Sequence, residues 1–306
     1  MNALKGKAIV ITGGARGIGA AYSLYFAREG ASVVVNDVDA APAEDTAAGV
    51  RADPAVAKAG GTALARAADI TSWEAAEGLV RFCVERFGKL DGLVNNAGIY
   101  HLATPEEETE QRFRRLMEVN VMGTAWCGLH ALRQMKKQGH GSVVNTTSGA
   151  HMGMPGSAAY GGSKGAAASM TYSWAMDMQG TGVRVNAISP MASTRMTGTS
   201  DEYKRSHGGD PSGRTPIDPV NNAPLVAYLL SDYSREVTGQ VIRVQGGEIS
   251  IVSHPAVLLP SAKREGWSVE DVRDAFAADL AKRAFPLGVV ALEATIKPYG
   301  VSYKNK

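Results

Sequence analysis

Tyr160 and Lys164 stand four residues apart in Ser157-Ala-Ala-Tyr160-Gly-Gly-Ser-Lys164. On a helix that spacing puts both side chains on one face, one turn apart. A phenol beside a fixed ammonium is an acid/base unit, because the positive charge favours phenolate and lowers a pKa that starts at about 10. The same pair on a wet surface does nothing, and the spacing alone does not separate the two. Three more polar groups stand where such a unit would use them. Ser148, with Thr147 before it, ends a strand read over residues 141–147, and Asn120 interrupts a long helical pattern over 108–137. Asn competes for backbone bonds inside a helix. It reads either as a satisfied polar core residue or as a local kink that holds water.

The elements that position these groups follow in order. Residues 7–12 are a short apolar run suited to a buried strand. Gly13-Gly-Ala-Arg16-Gly17-Ile18-Gly19 follows at once, and residues 20–29 read as a helix. Strand, glycine turn and helix form the context in which such glycines cradle a diphosphate. Gly13 permits the turn, Gly17 lets the backbone approach, Gly19 lets the helix pack close, and the helix N-terminus offers free N–H groups. Residues 31–36 are a second strand, ended by Asp37. A carboxylate about 20 residues past the glycine turn bonds the adenosine ribose hydroxyls and repels a 2′-phosphate. NAD is therefore expected rather than NADP, with Arg16 in the glycine loop as the opposing signal.

Residues 40–58 are helical in propensity but interrupted by Gly49 and Pro54, which predicts a bent helix or two short ones. Residues 62–69 read as a third strand. Asp69-Ile70 then lies at the ligand-binding edge, or Asp69 caps the helix of residues 72–86. Residues 90–94 are a fourth strand, followed by Asn95-Asn96-Ala97-Gly98. A fifth strand ends at Ser148, and the Tyr160 helix runs to about residue 179. A sixth strand over 183–189 leads into a long polar stretch, 190–219, read as a mobile lid. A helix over 222–230 and a strand over 240–244 complete a sheet. The expected division is a nucleotide-binding domain over 1–250 and an extension over 251–306. The extension carries one amphipathic helix, 268–284, with Val272, Phe276 and Leu280 on its apolar face. It either caps the domain or docks on another subunit.

The 306 residues carry 32 Lys+Arg against 30 Asp+Glu, a net charge of +2. That balance argues against a polyanion partner such as nucleic acid, and Lys304-Asn-Lys306 reads as a solvated tail. Cys83 and Cys127 lie far apart in apolar patterns and read as reduced core thiols. The six histidines form no metal-ligand spacing, so no metal is expected. No apolar run reaches the ~18 residues a membrane span needs. The start shows no signal peptide, and a cytoplasmic protein is the default expectation.

Taken together, Thr12-Gly-x-x-x-Gly17-x-Gly19, Asp69-Ile70, Asn95-Asn-Ala-Gly98, Asn120, Ser148 and Tyr160-x-x-x-Lys164 resemble the short-chain dehydrogenase/reductase family, over about residues 5–250. The resemblance implies an α/β fold: a Rossmann-type, doubly wound, seven-stranded parallel sheet with helices on both faces. It implies a catalytic tetrad of Asn120, Ser148, Tyr160 and Lys164. In it Tyr160 exchanges the proton on the substrate oxygen, and Lys164 lowers the Tyr160 pKa and bonds the nicotinamide ribose. Ser148 holds the substrate oxygen, and Asn120 holds a proton-relaying water. Gly13, Arg16, Gly17, Ile18, Gly19, Asp37, Asp69, Ile70, Asn96, Ala97, Gly98, Tyr160, Lys164, Pro190 and Thr194 are the expected cofactor contacts. A homotetramer or homodimer is implied as well. Two departures stand out. The interval from Ser148 to Tyr160 is one residue short, which leaves Thr147 as the alternative oxygen-binding hydroxyl, Ser148 being preferred. The family's Pro-Gly after the sixth strand is Pro190-Met191 here.

Residues 231–247 and Ser253-His-Pro resemble the branch of (3R)-hydroxyacyl-CoA and 17β-hydroxysteroid dehydrogenases. The resulting expectation is NAD-dependent hydride transfer on a hydrophobic secondary alcohol or ketone, of hydroxysteroid, cyclic-alcohol or 3-hydroxyacyl-CoA type. Arg195, Lys204, Arg205 and Arg214 read either as partners of a CoA substrate or as ordinary surface charge. The competing expectation is a non-catalytic scaffold that senses NAD(H).

Overall fold

Each run read as a strand becomes one, and all but β3 have most of their residues buried: β1 (Ala8–Ile11), β2 (Ser32–Asp37), β3 (Thr62–Ala67), β4 (Gly92–Asn95), β5 (Gly141–Thr146), β6 (Val183–Pro190) and β7 (Val241–Gln245). Ile9 and Ile11 enter one core cluster, while Ala8 and Val10 enter the other. That alternation with no polar face is the mark of a parallel sheet covered on both sides. The computed structural model describes residues 2–213, 215–255, 261–283 and 288. Arg214, residue 284 at the end of the expected extension helix and the Lys304–Lys306 tail lie outside them.

The strand order is β3-β2-β1-β4-β5-β6-β7-β8, where β8 spans Glu248–Val252. The first seven strands are parallel and β8 is antiparallel to β7. The expected doubly wound sheet is present, with one strand more than the seven anticipated. Gly246 has φ +59° and, with Gly247, makes a two-residue turn that pairs Gln245 with Glu248. A positive φ at a hairpin turn favours glycine, so the chain folds back at once and the sheet continues past residue 250.

Helices α1 (Gly17–Arg28), α2 (Ala40–Ala52) and α3 (Pro54–Ala59) cover one face of the sheet. The helix read over 40–58 is thus two. Asp53 ends α2 and caps α3 by accepting from Ala55 N (2.9 Å) and Val56 N (3.2 Å), with Pro54 at the first helical position. Gly49, by contrast, is absorbed within α2. Helix α4 (Trp73–Phe87) lies on the other face with α6 (Thr124–Gln138) and α7 (Ala158–Asp177). Cys83 and Cys127 are free and buried there, and burial pushes both thiols up to about 12.

The long helix expected over 108–137 is broken in a specific way. Helix α5 (Glu110–Met117) passes through a π-helical turn, Glu118–Gly123, before α6 begins. The expected lid contains its own helix, α8 (Arg195–Ser206), and α9 (Ala223–Leu230) returns to the core of the first face. Contacts divide the chain into two compact units, Met1–Ala256 and Val257–Lys306. Within the second, α10 (Val269–Ala278) starts at Ser268, whose hydroxyl accepts from Asp271 N at 3.1 Å. Among the described residues no helix is long and apolar enough to cross a membrane.

Candidate active site

The chain runs outward from β1 through β2 to β3 and then returns to β4 on the other side of β1. Strand order reverses there, and in open α/β sheets ligands bind at the carboxyl ends flanking such a reversal. Thr12 follows β1 and is buried. Its hydroxyl accepts from Asn96 N and Ala97 N, both at 3.1 Å. Asn96 answers by donating its amide to Thr12 O and Gly13 O, both at 3.0 Å. The two strand ends are stapled into one floor, which joins the glycine loop to Asn96-Ala97-Gly98.

Above that floor the glycine loop packs tightly on one side and lies open on the other. A Cβ on Gly19 would stand 2.1 Å from Gly13 O, so only glycine lets α1 sit this close. At Gly17 the nearest atom to such a Cβ is Thr194 Cγ2, at 3.6 Å. Arg16 precedes α1, and no side chain caps the helix's first turn. Ile18 turns its side chain onto the core, which leaves its backbone for a ligand. An uncapped N-terminus beside open glycine backbone fits a diphosphate. Asp37 ends β2, and Asp39 N donates to its carboxylate at 3.3 Å. Arg16 is drawn to Asp39 at 2.8 Å. Asp37 and Asp39 thus lie together at the end of β2, and Arg16 is paired with Asp39.

Asp69 is exposed and accepts from the Thr71 backbone N–H (3.0 Å) and hydroxyl (2.8 Å). These bonds, the backbone one foremost, hold its carboxyl below the usual range. Ser72, rather than Asp69, caps α4 by accepting from Ala75 N at 3.2 Å. Ile70 is buried against Gly123 of the π turn. Thr194 precedes α8 and donates its backbone N–H to Thr197 Oγ1 at 3.1 Å. Pro190 ends β6, in register with Val244. Arg195, Lys204 and Arg205 are exposed side chains on α8.

The π turn brings Asn120 to the same place. Its Nδ2 donates to Ile99 O (2.9 Å) and Ser163 Oγ (3.1 Å), and its Oδ1 accepts from Ile99 N (2.8 Å). A Cβ on Gly98 would stand 3.2 Å from Asn120 Oδ1 and 3.6 Å from Lys164 Nζ, so the two side chains meet beside Gly98. Lys164 is buried and donates to Thr146 O at 2.9 Å. Asn120 thus clamps the loop after β4 to α7, and its amide bonds Ile99 and Ser163 rather than Lys164.

Tyr160 lies one turn before Lys164, with Nζ 5.7 Å from the ring centroid. The Tyr100 ring meets it edge-on at 4.7 Å. The charge effect expected from Lys164 is not the dominant one. Burial pushes the Tyr160 phenol up to about 12, against a hydrogen bond with Ser148 that pulls it down. Burial also pulls Lys164 down to about 8. The physical reason is shared: both groups leave water, and each is driven towards its neutral form.

The two candidate hydroxyls separate clearly. Thr147 is buried and donates to Ile188 O at 2.8 Å, so it is committed to β6. Ser148 bonds Tyr160 and accepts from Ala150 N at 3.2 Å. A single 3₁₀ turn, Gly149–Met152, takes up the short interval between Ser148 and α7. Sequence reasoning missed Tyr100, which has no local motif, and gave no role to Arg243, although it lies within the 231–247 stretch. It also missed Glu107, which ties α8 to the loop after β4 through Tyr203 (3.0 Å) and His207 (2.8 Å).

Residues 7–205 match the family model of the short chain dehydrogenases. A relative in Xanthobacter autotrophicus, 2-(S)-hydroxypropyl-CoM dehydrogenase 3, is 39% identical over 260 residues, covering 82% of this chain and 99% of its own. A short chain dehydrogenase from Mycobacterium avium superposes with a TM-score of 0.79 at 32% identity, over 93% of this chain and 98% of that one. NAD+-bound xylitol dehydrogenase superposes with a TM-score of 0.71 at 33% identity, over 80% and 99%.

Proposed function

The chain belongs to the short-chain dehydrogenase family, and from that premise we propose an NAD-dependent oxidoreductase that interconverts a hydrophobic secondary alcohol and its ketone. The observation that carries this reading is the convergence of Tyr160, Ser148, Lys164 and Asn120 beside the glycine loop. Asp37 and Asp39, with Arg16 already engaged, support NAD over NADP. A 2′-phosphate would meet two carboxylates there, with Arg16 already paired to Asp39. The relative named for NAD+ points the same way.

When bound, NAD supplies the hydride acceptor or donor. The glycine loop and the first turn of α1 would hold its diphosphate, and Asp37 its ribose. Ile70, Asn96, Ala97, Gly98, Pro190 and Thr194 would flank the remainder. Tyr160 carries the proton at its phenol oxygen. With the phenol up at about 12 it is protonated at neutral pH, ready to donate to a ketone oxygen in the reductive direction. Ser148 orients that oxygen, since it alone of the two adjacent hydroxyls is not committed to the sheet. Lys164 stays fixed by Thr146 O beneath the phenol.

The test is turnover of a panel of secondary alcohols, hydroxysteroids and hydroxyacyl thioesters, followed by nicotinamide absorbance with NAD and with NADP. NAD-linked turnover is expected, and Tyr160→Phe should lower kcat by about a hundredfold or more. Undiminished turnover in that variant would sink the assignment of Tyr160. A clear preference for NADP would sink the reading of Asp37.

A further inference from the structure

The ends of three neighbouring strands converge on one unclaimed cation. Arg243 lies on β7, in register with Ser189 of β6, and is half-buried. Its Nη2 donates to Gln245 Oε1 at 2.9 Å and lies 3.1 Å from Met191 Sδ. Its Nη1 stands 2.7 Å from where a Cβ on Gly149 would be. The guanidinium therefore reaches from β7 past Met191, which follows Pro190, to Gly149, which follows Ser148. Those two segments lie just past the carboxyl ends of β5 and β6.

The neighbours of this charge are neutral. A thioether is a weak acceptor and an amide oxygen carries no charge. Among the described residues no carboxylate pairs with Arg243. Glu248, opposite Gln245 in the β7–β8 register, makes no ion pair with it. A partly desolvated guanidinium without a counter-charge attracts an anion more strongly than a surface arginine does. Its planar fork of donors suits a carboxylate or a similar compact oxyanion. A side chain at position 149 would take up the room that Nη1 uses, and the glycine leaves that room open to the guanidinium.

From this geometry we infer that Arg243 is a specificity residue for an anionic group, foremost a carboxylate, carried by the alcohol or ketone substrate. The inference rests on the oxidoreductase reading above and narrows it from hydrophobic alcohols to hydroxy acids.

The experiment compares hydroxycyclohexanecarboxylates, with the hydroxyl at each ring position, against the matching carboxamides. Wild type, Arg243→Gln and Arg243→Lys are assayed with NAD. The expected result is a kcat/KM ratio of acid to amide above unity in wild type. Arg243→Gln should lower that ratio by about tenfold to a hundredfold, the range for a hydrogen bond to a charged group. Arg243→Lys should recover part of it, because charge returns without the fork. A ratio that Arg243→Gln leaves unchanged overturns the inference, as does equal loss on both substrates, which would mark a structural role. Calorimetric titration of cyclohexanecarboxylate and its amide, with NADH present, separates the inference from the reading beneath it. Binding of the acid that Arg243→Gln abolishes supports the anion site even if no alcohol is turned over. Equal binding of acid and amide overturns it even if turnover is brisk.

Discussion

Two adjacent hydroxyls, Thr147 and Ser148, differ in a way that position in the sequence could not show. Thr147 donates to Ile188 O, and its own backbone N–H donates to the same oxygen at 2.7 Å. Thr147→Val therefore removes one buried bond while leaving that carbonyl satisfied. A loss of about 1 kcal/mol in denaturant unfolding is expected, with most turnover kept. Ser148→Ala should do the reverse, with turnover falling and stability scarcely moving. The buried Lys164 adds a pH prediction. Its folded pKa, about 8, lies below its ordinary 10.5. The unfolded chain then binds more protons between those values, so this group's contribution to stability rises with pH across that window. Lys164→Met should flatten the rise, and unfolding of both proteins from neutral pH to about 10 checks it. The spacing put Tyr160 and Lys164 on one helix face but did not tell a buried pair from a wet one. The sign of their pKa shifts was therefore not legible, because desolvation depends on what covers the pair.

Helix α8 shows the same limit for an element. Its stretch reads as polar loop because no apolar face repeats along it, and none of its residues is buried. What holds it is Glu107, about a hundred residues away in the chain. That carboxylate accepts from Tyr203 and His207, whose rings stack at 4.0 Å. The Thr104 backbone N–H, with His207 and Tyr203, holds Glu107 down to about 2, and His207 is raised. A raised histidine gives its contribution below its ordinary pKa and loses it as pH climbs through the folded value. Proteolytic nicking within residues 195–206 should therefore speed up as pH rises above about 6.5. Glu107→Gln should nick fast at every pH. Equal nicking of both proteins across the range would remove Glu107 as the latch. The π turn at Asn120 is an intermediate case. An Asn inside a helical pattern reads either as a satisfied core residue or as a kink that holds water; the structure has a π turn there, and the amide bonds the Ile99 backbone and the Ser163 hydroxyl.

At the scale of the whole chain, the sheet was the most legible part. Six runs with most of their residues buried, and the more exposed run of β3, leave few alternatives to a parallel, doubly wound order. The eighth strand escaped although Ile249 and Ile251 alternate with polar residues, because the run is short and both isoleucines are exposed, and its pairing rests on the two-glycine turn. The second compact unit was marked only by one amphipathic helix, in which Val272 and Phe276 remain substantially exposed. The first unit, Met1–Ala256, contains both large core clusters and every residue assigned to the candidate site. A domain that holds its own core can fold alone. A chain ending at residue 256 should therefore unfold in one cooperative transition and keep nicotinamide-linked turnover within about tenfold of the full chain. Circular dichroism through a denaturant titration and the steady-state assay decide it together. Cooperative unfolding without turnover would assign the second unit a part in the chemistry, and loss of cooperativity would make it part of the fold.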